Sequence, residues 1–244
     1  MRHYKLIKLN ATKSTNDKVK MLIKSKKISP GDIVWADYQY KGRGRYKNTW
    51  NSSKGKNLLI SVYREFKGLN FKQSNYINFV ISLSVIKTIE QYISDDNFIK
   101  WPNDILSGNK KIAGILIETS IRSDKTNDYI IGIGLNINQE KFNQINNADS
   151  IKNINNMDYD LNEITNRFLD LFENFDLKFN RLSIDDVKNE YLKNLYGLNT
   201  NLNFLKNDDE FEARIIDVVS DNKIKLLVNN KKIVFDSRDL KLVF

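Results

Sequence analysis

The chain has 244 residues, 41% hydrophobic and 28% charged, which is a globular composition and excludes a disordered one. It has no cysteine and one histidine, His3, which excludes disulfides, thiolate metal sites and a cysteine nucleophile and argues against a multi-histidine metal cluster or a Ser-His-Asp triad. The net charge of +9 is uneven: residues 1–56 hold 15 Lys/Arg against 3 Asp/Glu (+12), and residues 57–244 hold 24 against 27 (−3), so the basic excess points to an anionic partner for the first quarter or to solvated lysines there.

In chain order, residues 4–9 alternate well enough for a strand. Ser14, Thr15, Asn16 and Asp17 offer capping oxygens ahead of a stripe of Val19, Leu22 and Ile23, which predicts a helix. Residues 29–32 read as a turn, 33–36 as a strand, and 39–56 as a polar, glycine-bearing loop. A strong strand pattern covers 58–63, and residues 77–93 are apolar on nearly every side, which predicts a largely buried helix. Further strands are expected at 98–101, 111–119 and 129–137, followed by an Asn-rich loop with little order at 138–160. Helical spacing then runs through 161–182, and Ser183 opens a second helix with Val187, Tyr191 and Leu195 inward and Gly197 as its stop. Short β-type runs follow at 202–205, 211–219, 224–228, 232–235 and 240–243 and suggest a small β-barrel. The expected organisation is α+β, with one domain over 1–197 and another over 198–244. No run reaches the about 18 apolar residues of a membrane span, and no signal-peptide core is present. A cytoplasmic protein without a membrane partner is the expectation.

Four segments carry chemistry. In Gly42-Arg43-Gly44-Arg45, with Gln39 before it and Trp50 after it, the glycines let backbone N–H groups approach a ligand and the arginines can fork onto phosphate or carboxylate oxygens. A solvated basic loop is the plain alternative. In Lys100-Trp101-Pro102-Asn103-Asp104 the proline makes a rigid corner that could aim polar groups into a cleft, or simply end a strand. Lys111 opens an apolar strand containing Gly114, where it could hang over a cleft floor or snorkel to solvent. Paired glycines at Gly132 and Gly134 weaken a strand unless something approaches the backbone closely, and Asn136 shares their face by the two-residue period.

Together and in this order, these segments resemble the biotin–protein ligases, as does the helix start Ser14-Thr15-Asn16. The motif resemblance spans residues 4 to about 138, and the layout of the rest also matches. It implies a mixed sheet backed by helices, similar to class II aminoacyl-tRNA synthetases, with an SH3-like C-terminal barrel. It also implies an adenylate-forming ligase: biotin and ATP give biotinyl-5′-AMP, and a lysine of a biotin carboxyl carrier domain then takes the biotin. Such chemistry needs preorganised positive charge and N–H donors but no protein nucleophile. ATP would arrive with Mg2+; no metal ligands are assigned. By position, Ser14, Thr15 and Gln39 match residues that bond the biotin ureido ring. Gly42 and Arg43 match the loop over the biotin and the adenylate phosphate, and Gly114 and Gly132 match the biotin pocket lining. Arg45 matches the arginine needed for forming and retaining the adenylate, and Lys111 the lysine bridging the biotin carboxylate and the α-phosphate. Asp104 matches the acid near the reacting centre, and Trp50 and Asn136 fall on the nucleotide side. The catalytic pattern begins at Ser14, so the resemblance is to the short monofunctional form, with no DNA partner expected; monomer and homodimer both stay open.

Two positions depart from the family pattern. A frequent arginine two residues before the tryptophan is Asn48 here, a contact that Lys47 could take over, and a usually small residue before Gly42 is Lys41. The adenine-covering loop should fall within 138–160. Two other readings compete: a lipoate–protein ligase, which shares the fold but shows a different glycine-rich loop, and a nucleic-acid-binding protein that uses the basic first quarter. The second leaves Lys111 and the glycine pair unexplained.

Overall fold

The structure is a computed structural model and describes residues 4–67, 74–93, 96–121, 126–142, 147–179, 182–220 and 222–243. The strands are β1 (Leu6–Leu9), β2 (Ile33–Ala36), β3 (Asn57–Lys67), β4 (Asn97–Lys100), β5 (Asp104–Ser107), β6 (Lys110–Ile121) and β7 (Thr126–Asn136), followed by β8 (Asn201–Lys206), β9 (Asp209–Ser220), β10 (Lys223–Val228), β11 (Lys231–Asp236) and β12 (Lys241–Leu242). The helices are α1 (Thr15–Lys24), α2 (Ser74–Ile89), α3 (Ile151–Asn155), α4 (Leu161–Phe179) and α5 (Ile184–Lys193). The first seven strands form one sheet, ordered β1-β2-β3-β7-β6-β5-β4. Only β1–β2 is parallel within it, so the sheet is mixed as expected.

The two faces of this sheet follow from strand alternation. Ile33 and Trp35 of β2, Leu58, Ile60 and Val62 of β3, and Ile131, Ile133 and Leu135 of β7 point into the main core, which includes residues of α2, α4 and α5. Helix α2 is buried nearly all round, and its Ser84 and Thr88 hydroxyls donate to the Val80 and Ser84 carbonyls instead of to water. The opposite face receives Val19 and Leu22 of α1 against Val34, Tyr63 and Ile130. Beyond α1 that face carries Ser61, Gly114, Gly132 and Gly134 in place of bulky side chains, and there the sheet is hollow.

Two expectations are corrected. The C-terminal strands form an open five-stranded sheet, β11-β10-β9-β8-β12, rather than a closed barrel. Strand β12 has only two residues and pairs with β8, so among the described residues nothing joins it to β11. The exposed β11 edge begins with Lys231 and Lys232, charges that blunt an open edge. Over 102–110, where the periodicity predicts no element, the corner after Pro102 runs directly into β5. The Asn-rich stretch is ordered where described. Ser150 caps α3, and Asn138 exchanges two hydrogen bonds with the Tyr159 backbone, its amide standing in for a peptide group. Residues 143–146 and 180–181 of the expected loop and helix lie outside the described residues. No helix among the described residues is long and apolar enough to cross a membrane.

Candidate active site

The hollow on the α1 face is a cavity of about 130 Å³. Its floor is the pairing of β6 with β7, where Gly114 faces Gly134 and Leu116 faces Gly132. A methyl group added at Gly134 would collide with the Trp50 ring, and one at Gly132 with the Asn16 amide. The paired glycines are therefore there because two side chains lie flat against the strand. Trp50 reaches this place because its N–H bonds the Gly42 carbonyl at 3.0 Å across a tight loop closed by the Arg43–Thr49 bridge. The Trp50 indole N–H is buried beside the cavity and has no partner among the described residues, an open donor where an acceptor on a ligand would fit.

One wall is a polar relay from α1. Gln39 Oε1 accepts from the Thr15 N–H at 2.7 Å and lies 3.1 Å from the Thr15 hydroxyl. The Ser61 hydroxyl lies 2.7 Å from Thr15 Oγ1 and 2.5 Å from Asn16 Oδ1. Asn16 Nδ2 donates to Glu118 at 2.9 Å. Thr15 and Asn16 are each at most 3% exposed, so the polar groups of the relay are held by one another rather than by solvent.

Three cations from distant stretches meet here. Lys111 Nζ pairs with Asp104 at 2.6 Å and sits 5.4 Å from the Trp50 ring centre. A bulge between the β5 pairs Ile105↔Ala113 and Leu106↔Lys111 leaves Ile112 extra. The bulge turns Lys111 onto the face of Asp104 and Gly114, where strict alternation would send it toward the core with Ala113. Arg43 is held by Glu118 at 2.5 Å and Asp17 at 2.9 Å, and Lys20 also pairs with Glu118 at 2.6 Å. Burial pushes the Glu118 carboxyl up, but hydrogen bonds from Lys20, Asn16 and Arg43 outweigh it and hold the group below the usual carboxylate range. Pairs this exposed are each worth at most about 1 kcal/mol of stability. Their effect is to aim Arg43 rather than to hold the fold. Arg45 bonds Tyr46, Asn222 and Ser237 through Nη2.

Of the residues expected from the sequence, Ser14, Thr15, Gln39, Arg43, Arg45, Trp50, Asp104, Lys111, Gly114 and Gly132 all line this one cavity. Gly42 and Asn136 do not. Gly42 forms the loop's neck against Trp50, and Asn136 is buried below, donating to the Asp149 carbonyl at 2.9 Å. Asp149 and Asn147 also bond the Lys111 backbone, so the middle of the Asn-rich stretch runs beside the lysine. The Lys47 side chain lies outside the described parts. Glu118 and Asn16 had no assigned role in the sequence reading. The signal was available: Glu118 is the acid that directly ends the run 112–117 and shares the face of Gly114 and Leu116.

The family model for the biotin/lipoate A/B protein ligase family matches residues 9–136, just over half of the chain. The chain belongs to the biotin/lipoate A/B protein ligase family. The family match runs from β1 to the end of β7 and so includes every residue of the cavity described above. The bifunctional ligase/repressor BirA of Bacillus subtilis (strain 168) is 36% identical over 110 residues, 45% of this chain and 34% of that protein. The biotin–[acetyl-CoA-carboxylase] ligase of Mycobacterium tuberculosis is 26% identical over 142 residues, 57% of this chain and 52% of that one. The matched part of this ligase-family chain thus spans about a third of the first relative and half of the second. Among solved structures, the biotin protein ligase of Aquifex aeolicus in complex with biotin and ATP superposes with a TM-score of 0.80 at 26% identity over 98% of both chains. The Leishmania major biotin protein ligase with biotinyl-5-AMP superposes at 0.67 and 22% identity, a likeness of fold.

Proposed function

We propose that this chain is a biotin–protein ligase: it condenses biotin with ATP and then transfers the biotinyl group to a lysine of a biotin carboxyl carrier domain. One observation carries the reading. Arg43, Arg45 and Lys111, from two distant segments, converge with a glycine-hollowed floor on a single cavity, in a fold that superposes on a ligase solved with biotin and ATP.

The proposed reaction brings two anions together. A carboxylate oxygen of biotin attacks the α-phosphorus of ATP, the bond to the bridging oxygen breaks, and pyrophosphate leaves. The deprotonated acceptor amine then attacks the anhydride carbonyl, and AMP leaves with the bonding pair. Lys111 would sit between carboxylate and α-phosphate once Asp104 yields it, and Arg45 would bind the phosphate. Asp104, freed from Lys111, would orient the incoming amine. Thr15, Ser14 and Gln39 would supply donors and acceptors for the ureido ring, and the Trp50 N–H, open among the described residues, would offer a donor on the nucleotide side. Mg2+ enters as the counter-ion of ATP; among the described residues no group of three acids or histidines forms a resident metal site. Residues 1–197 would then form the catalytic unit and 198–244 a second unit that completes its rim.

The test is exchange of labelled pyrophosphate into ATP. Biotin-dependent exchange, followed by labelling of a carrier domain, is the expected result. Exchange that depends on lipoate instead, or no exchange together with salt-sensitive RNA binding, would replace this reading with one of its rivals.

A further inference from the structure

The three cavity cations are held in different ways. Lys111 and Arg43 each carry a carboxylate partner, Asp104 for one and Glu118 with Asp17 for the other. Arg45 has none among the described residues. Its partners are all neutral: the Tyr46 hydroxyl at 3.1 Å, the Asn222 amide oxygen, and the Ser237 hydroxyl at 3.5 Å. All three take the same nitrogen, Nη2, so the guanidinium is gripped at one corner and its other nitrogens make no bond among the described residues. Tyr46 adds to the grip. Its ring lies 5.2 Å from the guanidinium carbon, its hydroxyl meets Ser237 Oγ at 2.5 Å, and its backbone is left-handed at φ 50. A non-glycine residue holds that conformation when its surroundings over-determine it. Asn222 and Ser237 belong to two turns of the C-terminal sheet, after β9 and after β11. The β9 end also accepts from the Trp101 indole at 3.2 Å, three residues before Asp104 of the cavity lining, so the same turn is anchored to the catalytic sheet a second time.

We propose that Asn222 and Ser237 are positioning residues that hold Arg45 at the cavity mouth without neutralising it, so that its charge stays available to the α-phosphate. The inference rests on the ligase reading for its substrate but not for its geometry. A carboxylate at position 222 would hold the guanidinium at least as well and compete with the phosphate; a neutral amide holds it and does not. Fixing the fork beforehand also removes ordering entropy from the binding step.

Two variants and two measurements test this. In Asn222→Ala/Ser237→Ala, the amides of Gly44 and Asn48 in the ligand-free protein should exchange with deuterium about tenfold faster, and KM for ATP in biotin-dependent exchange should rise about tenfold, while biotin binding without ATP is unchanged. In Asn222→Asp, the loop amides should stay as protected as in wild type, yet KM for ATP should still rise. A purely structural role does not produce that split. Wild-type KM for ATP in Asn222→Asp overturns neutral holding, and wild-type amide exchange in the double variant overturns the grip. If the wild-type enzyme shows no biotin-dependent exchange while the double variant's loop amides accelerate, the grip stands and the ligase reading fails.

Discussion

The cavity over Gly132 and Gly134 measures about 130 Å³, and so does a second cavity between the two sheets. They share Asp104 and little else. The first is lined by Arg43, Arg45, Lys111 and a polar relay, over strands hollowed by glycine. The second is walled by Trp101, Pro102, Tyr196, Phe204, Ile215, Ile224, Leu240 and Leu242, with Lys100 and Lys241 at its edges. Burial pushes the Lys100 ammonium down; Asp104 opposes this, and Lys111 and Lys241 add to it. Equal volume therefore says nothing about chemistry. A cavity built from side chains of both sheets joins them by burial, whereas one left by missing side chains and rimmed with donors can take an anion.

This contrast is best broken from the first cavity. Lys111→Ala should lower biotin-dependent pyrophosphate exchange by about 10²- to 10³-fold with little change in melting temperature. Exchange within about twofold of wild type would take Lys111 out of the reaction. The opposite signature belongs to the second cavity. Phe204, only 2% exposed, should cost about 3–4 kcal/mol of stability as Phe204→Ala in urea unfolding, with KM values of the folded protein unchanged. Altered KM with intact stability would mean that this cavity, too, is a ligand site. Gly132→Ala should drive a methyl into the Asn16 amide and raise KM for biotin about tenfold, with a smaller effect on ATP. Equal effects on both substrates would point to general disruption of the floor.

The smallest effect concerns pH. The folded Glu118 carboxyl lies below its ordinary value of 4.5, so its stabilisation is complete above that pH and lost as pH falls through the folded value. The melting-temperature gap between wild type and Glu118→Gln should therefore be widest near neutrality and close in acid. A gap that stays constant down to pH 3 would assign the effect to packing.

Much of the fold was legible because it is written in local periodicity. The β6 and β7 strands, the all-round apolar α2 and the capped α5 were readable, since alternation, burial and a Ser cap act within a few residues. Strand β5 was not, because Asp104, Ile105, Leu106 and Ser107 are too few to show a period and are a strand only by pairing with β4 and β6. Helix α3 was hidden by asparagines that look like loop residues. They are ordered by bonds such as Asn138 to Tyr159, which no local window contains. For the site, the glycines, arginines and Lys111 were visible as residue types. So was Asp104, the acid that holds Lys111. The Glu118 and Asp17 carboxylates that hold Arg43, and the amide that holds Arg45, were not.

By itself, the sequence determined which residues could do chemistry: two arginines in a glycine loop, a lysine heading an apolar strand, and glycines where a strand should carry bulk. The tertiary structure alone decided where they point. Lys111 faces the cavity because a bulge against β5 reverses its side of the sheet, and Arg45 is met by neutral oxygens because Asn222 and Ser237 reach it from another sheet. Residue type and period are properties of a short stretch of chain. A register shift or a contact across 177 positions exists only once both partners are folded.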